Sequence, residues 1–301
     1  MNNTPSIQDY LQSCSALIER HLGNIFPEEW NFPSVLRESM FYSLMAGGKR
    51  LRPILTLAAA EALGGSAEKA MPVACAVEMI HTYSLIHDDL PAMDNDDYRR
   101  GKLTNHKVYG ESMAVLAGDA LLTHAFYVAA QAARTSGASA EDTLAVIEDL
   151  AMLAGARGMV GGQVADMQGE QGLTDLDQLR YIHLHKTSDL IVFALRAGGR
   201  IAGATKEQLD GLSVFGSNLG LAFQIQDDIL DLIGDERKLG KPTNSDVKGK
   251  KVTYPFFIGL EASEREVERL TEEAKQAILG ANLPNPHKLL QIADYLMKRD
   301  H

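Results

Sequence analysis

Across residues 34 to 232 the apolar side chains of this sequence recur at intervals of three and four, and no run of alternating β-branched residues interrupts them. A period near 3.6 is the signature of helices, and its persistence leaves little sequence from which a sheet could be built. The spacing predicts helices over 34–46, 53–63, 73–89, 113–133, 143–155, 176–197 and 208–232. The glycine pairs Gly47-Gly48, Gly64-Gly65 and Gly198-Gly199 read as helix stops. Thr174 followed by Asp177 resembles a capping box before the helix at 176, with Asp in place of Glu or Gln. Residues 114–122 carry few polar groups on any side, which predicts a central, fully buried helix. No fixed-period repeat, low-complexity tract or linker-like shift divides the 301 residues, so a single all-α domain over 1–301 is expected.

Carboxylates inside this apolar texture narrow the chemistry. Asp88-Asp89 with Asp94, and Asp227-Asp228 with Asp231, each fall within or beside a helical apolar stretch. Acidic groups there are costly unless something cationic binds them. Asp227 and Asp231 lie one helical turn apart, Gln224 three residues before them, so Gln224, Asp227, Asp228 and Asp231 are expected on one stripe. Asp88 and Asp94 would diverge on a straight helix, but Pro91 should end it and can swing Asp94 back beside Asp88. Oxygen ligands with no Cys or clear His set point to Mg²⁺ rather than zinc. Such sites complete their shells with waters and substrate phosphates.

Cations are present to meet those phosphates. With 29 Lys and Arg against 40 Asp and Glu, the net charge of −11 disfavours nucleic acid as a partner, so basic clusters are expected to serve a small anion. Lys49, Arg50 and Arg52 gather at an apparent helix start, where cations are unfavourable unless an anion intervenes. Arg99 and Arg100 follow the first aspartate cluster and suit bidentate phosphate contacts. His81, seven residues before Asp88, shares its helix face. Residues 235–254 hold Arg237, Lys238, Lys241, Lys248, Lys250 and Lys251 among Gly and Pro, and directly follow the second aspartate cluster. A mobile basic lid is the expectation there. Cys14 and Cys75 show no metal-type spacing and suit a reducing cytoplasm. Neither a signal-peptide pattern nor an uncharged apolar run near the roughly 18 residues of a membrane span is present, so stable membrane insertion is not expected.

Seven segments then carry a resemblance. They are Gly47-Gly-Lys49-Arg-Leu-Arg52-Pro53, the run from His81 through Asp88-Asp89 to Asp94, Arg99-Arg100-Gly101, His185-Lys186-Thr187, the run from Phe223 to Asp231, Gly240-Lys241-Pro242, and Lys251 to Pro255. In this order they resemble the short-chain trans-isoprenyl diphosphate synthases, bacterial farnesyl-type enzymes above all. The resemblance implies an all-α isoprenoid-synthase-type bundle around a deep central cavity, usually a homodimer in the cytoplasm. It implies condensation of isopentenyl diphosphate with an allylic diphosphate, dimethylallyl or geranyl. Asp88, Asp94 and Asp227 would hold Mg²⁺, about three ions per loaded site, with Asp89, Asp228 and Asp231 as close supporters. Arg99, Lys186 and Lys241 would grip the allylic diphosphate. Lys49, Arg52, His81 and Arg100 would hold isopentenyl diphosphate, with Lys251 helping to close the site. Thr187 and Gln224 would face the developing cation, and with Lys186, Asp88 and Asp94 form the catalytic set.

Tyr83, with Ser84 beside it, bears on product length. Tyr83 lies five residues before Asp88, about 7.5 Å deeper along a helix. In this family a bulky aromatic there resembles a floor that stops growth near fifteen carbons, which implies (2E,6E)-farnesyl diphosphate. A geranylgeranyl synthase is the alternative that Tyr83 argues against. A terpene cyclase would have little use for the second diphosphate pocket of Lys49, Arg52 and Arg100. A non-catalytic subunit of the same fold would be expected to lose one aspartate cluster, and both are intact.

Overall fold

The computed structural model of the chain describes residues 6–169, 172, 175–233 and 252–298. Its first helices are α1 (Ile7–Leu22), α2 (Ser34–Leu44), α3 (Leu51–Ala62) and α4 (Ala67–Asp88). After a short hairpin come α5 (Asn105–Tyr109), α6 (Glu111–Ala130), α7 (Ala132–Thr135), α8 (Ala140–Ala154), α9 (Met159–Gly169) and α10 (Leu176–Ile182). A π-helical turn over His183–Ser188 leads into α11 (Asp189–Ile201), then α12 (Lys206–Ile233). Beyond the undescribed residues lie α13 (Tyr254–Ile258), α14 (Leu260–Gly280) and α15 (His287–Met297).

Local chemistry sets several of these boundaries. Ser6 and Asp9 form a reciprocal capping box at α1, while Ser66 and Ser139 accept from the first-turn amides of α4 and α8. At α10 the cap is Asp175, boxed with Gln178, instead of the Thr174 and Asp177 pair; Thr174 lies outside the described residues.

α11 forms the axis of the bundle, packed against α3, α4, α8 and α12. Phe193 of α11 and Phe215 of α12 are fully buried, and Gly216 of α12 lets Val192 and Leu195 approach. Gly198 and Gly199 do not stop α11 as the sequence suggested; both are buried within it. Their value is close approach. A Cβ on Gly198 would lie 2.0 Å from the Thr56 carbonyl oxygen of α3. Gly203, with φ of 79°, follows the helix end.

Two further expectations are corrected. α6 is not buried all round: Ala114, Ala117, Leu121 and Ala125 pack inward on α4 and α8, while Val115 and Leu116 are exposed. By length and composition Glu111–Thr135 is apolar enough to cross a membrane, yet nearly half of that window is buried inside this fold. The sheet missing from the sequence pattern exists in miniature. Tyr98–Arg99 and Lys102–Leu103 pair antiparallel across Arg100 and Gly101, whose φ values are 53° and 75°. Two positive φ angles in a two-residue loop suit a tight hairpin, and strands this short leave no alternation to detect.

Candidate active site

α4 delivers the first carboxylates. It ends at Asp88, Asp89 caps it, and the chain then folds back so that the Asp94 N–H donates to the Asp88 carbonyl at 2.8 Å. Asn95, at φ of 54°, donates to Leu90 O at 3.1 Å and closes the turn. Burial pushes the Asp88 carboxyl above its ordinary value; the Lys186 ammonium pulls it down and Asp94 pushes it further up. Asp88 thus senses groups from two sides of one cleft. Asp89 behaves differently. It is 3% exposed and takes Arg99 Nε and Nη2, each at 2.6 Å. Burial lifts it to about 6 against the pull of that guanidinium. Its immediate partner is Arg99 rather than Asp88 or Asp94.

The second carboxylates ride on α12. Gln224 Nε2 donates to Asp227 Oδ2 at 3.3 Å, as residues three apart on one face can. Asp228 leaves the expected stripe. Its Oδ2 accepts the Tyr254 backbone N–H at 2.8 Å and lies 3.2 Å from His183 Nε2. One residue turns a helix by about 100°, so a neighbour of Asp227 faces a different element. That element is α13, whose first N–H groups have no helical partner. Asp231 is buried, 1% exposed.

Lys186 and Thr187 sit in the π-turn, where the sequence pattern had implied uninterrupted helix. Inserted turns of this type recur at functional positions because they re-aim side chains. Gly162 of α9 permits the approach: a Cβ there would lie 2.2 Å from Lys186 N. Lys186 Nζ donates to Asp166 Oδ2 at 2.5 Å. Asp166 is a site residue the sequence reading missed. The signal for it was available as a lone carboxylate one turn after the Gly161-Gly162 pair.

The basic groups converge around the start of α3 and the hairpin. Arg52 Nη1 lies 3.4 Å from His81 Nε2. Burial lowers Arg52 to about 10, opposed by Glu78 and reinforced by Arg100. It remains charged at neutral pH, and its Nε is buried without a hydrogen-bond partner. His81 is held well below its ordinary value by burial and by Arg52, Arg100, Arg99 and Arg50. With Arg50 paired to Glu78 and Arg99 to Asp89, Arg52 and Arg100 beside the neutral imidazole are the guanidiniums suited to receive an anion. The Arg100 guanidinium donates to Gly47 O and packs on Gly48. Lys49 lines a cleft of about 790 Å³ between α1, the Gly48–Leu51 turn and α15.

Tyr83 is 7% exposed, its phenol pushed up to about 12 by burial and by Asp88. Ser84 donates to the His81 carbonyl at 2.9 Å and so stays tied to its own helix. Lys241, Lys251 and most of the expected lid lie outside the described residues. Among the described residues no three His, Cys, Asp or Glu groups form a metal cage unaided. Asp88 and Asp94, brought together by the turn, and Asp227 on α12 are all-oxygen donors of the kind that could hold a hard cation such as Mg²⁺.

Comparison with known proteins places this geometry. The polyprenyl synthetase profile matches residues 33–281. The chain is 46% identical over 298 residues to a farnesyl diphosphate synthase of Bacillus subtilis, covering 99% of this chain and 100% of that protein. It is 48% identical to a dimethylallyltranstransferase of Fischerella ambigua, covering 99% and 85%. It is 47% identical to a geranylgeranyl diphosphate synthase of Cyanophora paradoxa, covering 97% and 96%. In three dimensions it matches an apo FPP/GFPP synthase from Zymomonas mobilis with a TM-score of 0.84 at 33% identity, covering 97% and 98% of the two chains. The chain therefore belongs to the polyprenyl synthetase family, with the all-α fold of its prenyltransferases.

Proposed function

We propose that this prenyltransferase condenses isopentenyl diphosphate head-to-tail with dimethylallyl and then geranyl diphosphate, giving (2E,6E)-farnesyl diphosphate. The carrying observation is the pairing of two unlike sites. Asp88 feels both Asp94 and Lys186, whose ammonium is held by Asp166, and a separate cluster of Arg52, His81 and Arg100 is suited to a second anion. A reaction joining two diphosphates needs both.

In this reading Arg52, Arg100 and Lys49 bind the isopentenyl diphosphate through its phosphates, and His81 stays neutral so that it can hydrogen-bond them. Arg99 and Lys186 hold the allylic diphosphate, Lys186 moving from Asp166 to a phosphate oxygen; Lys241 and Lys251 belong to the same grip. Bound Mg²⁺ supplies Lewis-acid neutralisation of the charge that gathers on the leaving pyrophosphate. As the allylic C–O bond breaks, Thr187 and Gln224 present dipoles to the carbocation. The isopentenyl double bond, held at close range, forms the new C–C bond. Proton loss to the released pyrophosphate restores an alkene. Excluding water from the cleft protects the cation.

Tyr83 sets the product length in this reading, which separates it from the geranylgeranyl alternative carried by similar relatives. Self-association as a homodimer draws on the apolar side chains left exposed on α6 and α8, namely Val115, Leu116 and Leu144. A cytoplasmic location suits the two free thiols, Cys14 and Cys75.

The test is an assay with radiolabelled isopentenyl diphosphate and each allylic starter, with and without Mg²⁺, resolving products by chain length. Mainly fifteen-carbon product that needs Mg²⁺ is expected. No incorporation of label, or incorporation that ignores Mg²⁺, would overturn the proposal.

A further inference from the structure

His87 precedes Asp88 on α4 and projects against α6. Its ring occupies a notch that a side chain would fill: a Cβ on Gly118 would lie 2.1 Å from His87 Nε2 and 2.5 Å from Cδ2. Glycine is a poor helix former in the middle of a 20-residue helix such as α6. No positive φ requires it at Gly118. The space taken by the imidazole is what the missing Cβ provides. His87 Nε2 lies 3.1 Å from Val115 O, so this nitrogen carries the proton and donates to the α6 backbone.

The other side of the imidazole meets Tyr83. The two rings sit one helical turn apart on α4, with centroids 5.7 Å apart at 74°, an edge-to-face contact. A half-buried histidine locked to one helix thus presses on the side chain read above as the floor of the prenyl site. Without that contact one edge of the phenol loses its packing, which opens a neighbouring rotamer to it.

We propose that His87, seated in the Gly118 notch, is a specificity-determining residue that buttresses Tyr83 and so fixes the length of prenyl chain the site accepts. This rests on the reading of Tyr83 as the floor. His87 acts through Tyr83, so it is a positioning residue, and its signature lies in product length rather than in rate.

The experiment supplies dimethylallyl diphosphate with excess isopentenyl diphosphate and resolves the products of wild type, His87→Ala, His87→Gln, Tyr83→Ala and the Tyr83→Ala/His87→Ala double variant. His87→Ala raises the share of twenty-carbon product at least about fivefold. His87→Gln, whose amide still reaches the Val115 carbonyl, restores the wild-type distribution. The double variant matches Tyr83→Ala, because the buttress then has nothing to hold. An unchanged product ratio in His87→Ala, whatever its kcat or Tm, overturns the proposal, as does further lengthening in the double variant beyond Tyr83→Ala. Should His87→Ala fail to fold, Gly118→Ala displaces the same ring, and a wild-type product ratio there overturns the proposal equally. Mainly twenty-carbon product from the wild type would instead remove the floor reading itself, before any variant is compared.

Discussion

Arg50 Nη1 donates to Glu78 Oε1 at 2.6 Å, with the Arg50 side chain fully buried and Glu78 only 3% exposed. Arg50 reaches this position through a left-handed backbone, φ 48°, at the cap of α3, and its Nη2 donates to Leu44 O at 2.8 Å. In the Lys49-Arg50-Leu51-Arg52 run, then, one cation is turned inward to join α3 to α4. Of the other two cations, Lys49 lines the cleft between α1 and α15 and Arg52 lies beside His81. Because Glu78 lies one turn before His81, the same bond sets Arg52 beside His81.

Removing Glu78 therefore takes from a buried guanidinium its nearest carboxylate, leaving Glu19 at 3.6 Å and the Leu44 carbonyl. Glu78→Ala is expected to lower unfolding free energy by about 3–5 kcal/mol, the cost of breaking a buried pair from one side. Urea denaturation measures it. A loss under about 1 kcal/mol would mean that Arg50 finds water or another partner.

The carboxylate walls can be tested separately from the fold. Asp88→Asn and Asp227→Asn should each lower kcat by roughly a hundredfold or more, the scale of losing one preorganised electrostatic contact in a transition state. Their far-UV circular dichroism should stay as in the parent, since Asp88 closes a helix and Asp227 is half-buried. Near-normal turnover in either variant would contradict its assignment.

For the floor, Tyr83→Ala should move the main product from fifteen to twenty carbons, read by chromatography of the dephosphorylated alcohols. An unchanged product would place the limit elsewhere.

Gly198→Ala tests the tightest helix contact. The added methyl meets a backbone oxygen at 2.0 Å, which cannot rotate away. A loss of about 1–3 kcal/mol or more is expected from overpacking. Equilibrium unfolding within about 0.5 kcal/mol of the parent would show that α3 and α11 can part at low cost.

His81 also makes stability depend on pH. Its folded value lies well below the unfolded 6.5, through burial and the nearby arginines. Between those two values the unfolded chain binds a proton that the folded chain refuses, so stability is lost as pH falls below about 6.5. His124, lowered by burial, acts in the same direction. Asp89, raised to about 6, acts oppositely, because the folded state then binds the extra proton. The informative quantity is thus a difference. His81→Gln should lose less Tm than the parent between pH 7 and pH 5, and an identical slope would exclude His81 as a contributor.

Helix content was written in the 3.6 period, and the identities of the aspartates and basic residues were legible because charges in apolar helices demand a partner. The turn that brings Asp94 back to Asp88 followed from Pro91, a local constraint on φ and on hydrogen bonding. Other features depend on residues far apart in the chain, so no local pattern encodes them. Gly198 reads as a helix stop until the Thr56 carbonyl is seen against it. Asp228 shares its dipeptide with Asp227, yet α13 claims it because Tyr254 N–H needs an acceptor. The Asp166 bond to Lys186 joins α9 to a π-turn whose register only packing could set. Sequence determined which chemical groups this protein owns and that most of them ride on helices, because the 3.6 period is local. The tertiary structure decided which partner each carboxylate meets, Arg99 for Asp89 and the Tyr254 N–H for Asp228, since that choice turns on the neighbours that packing brings to each buried polar group.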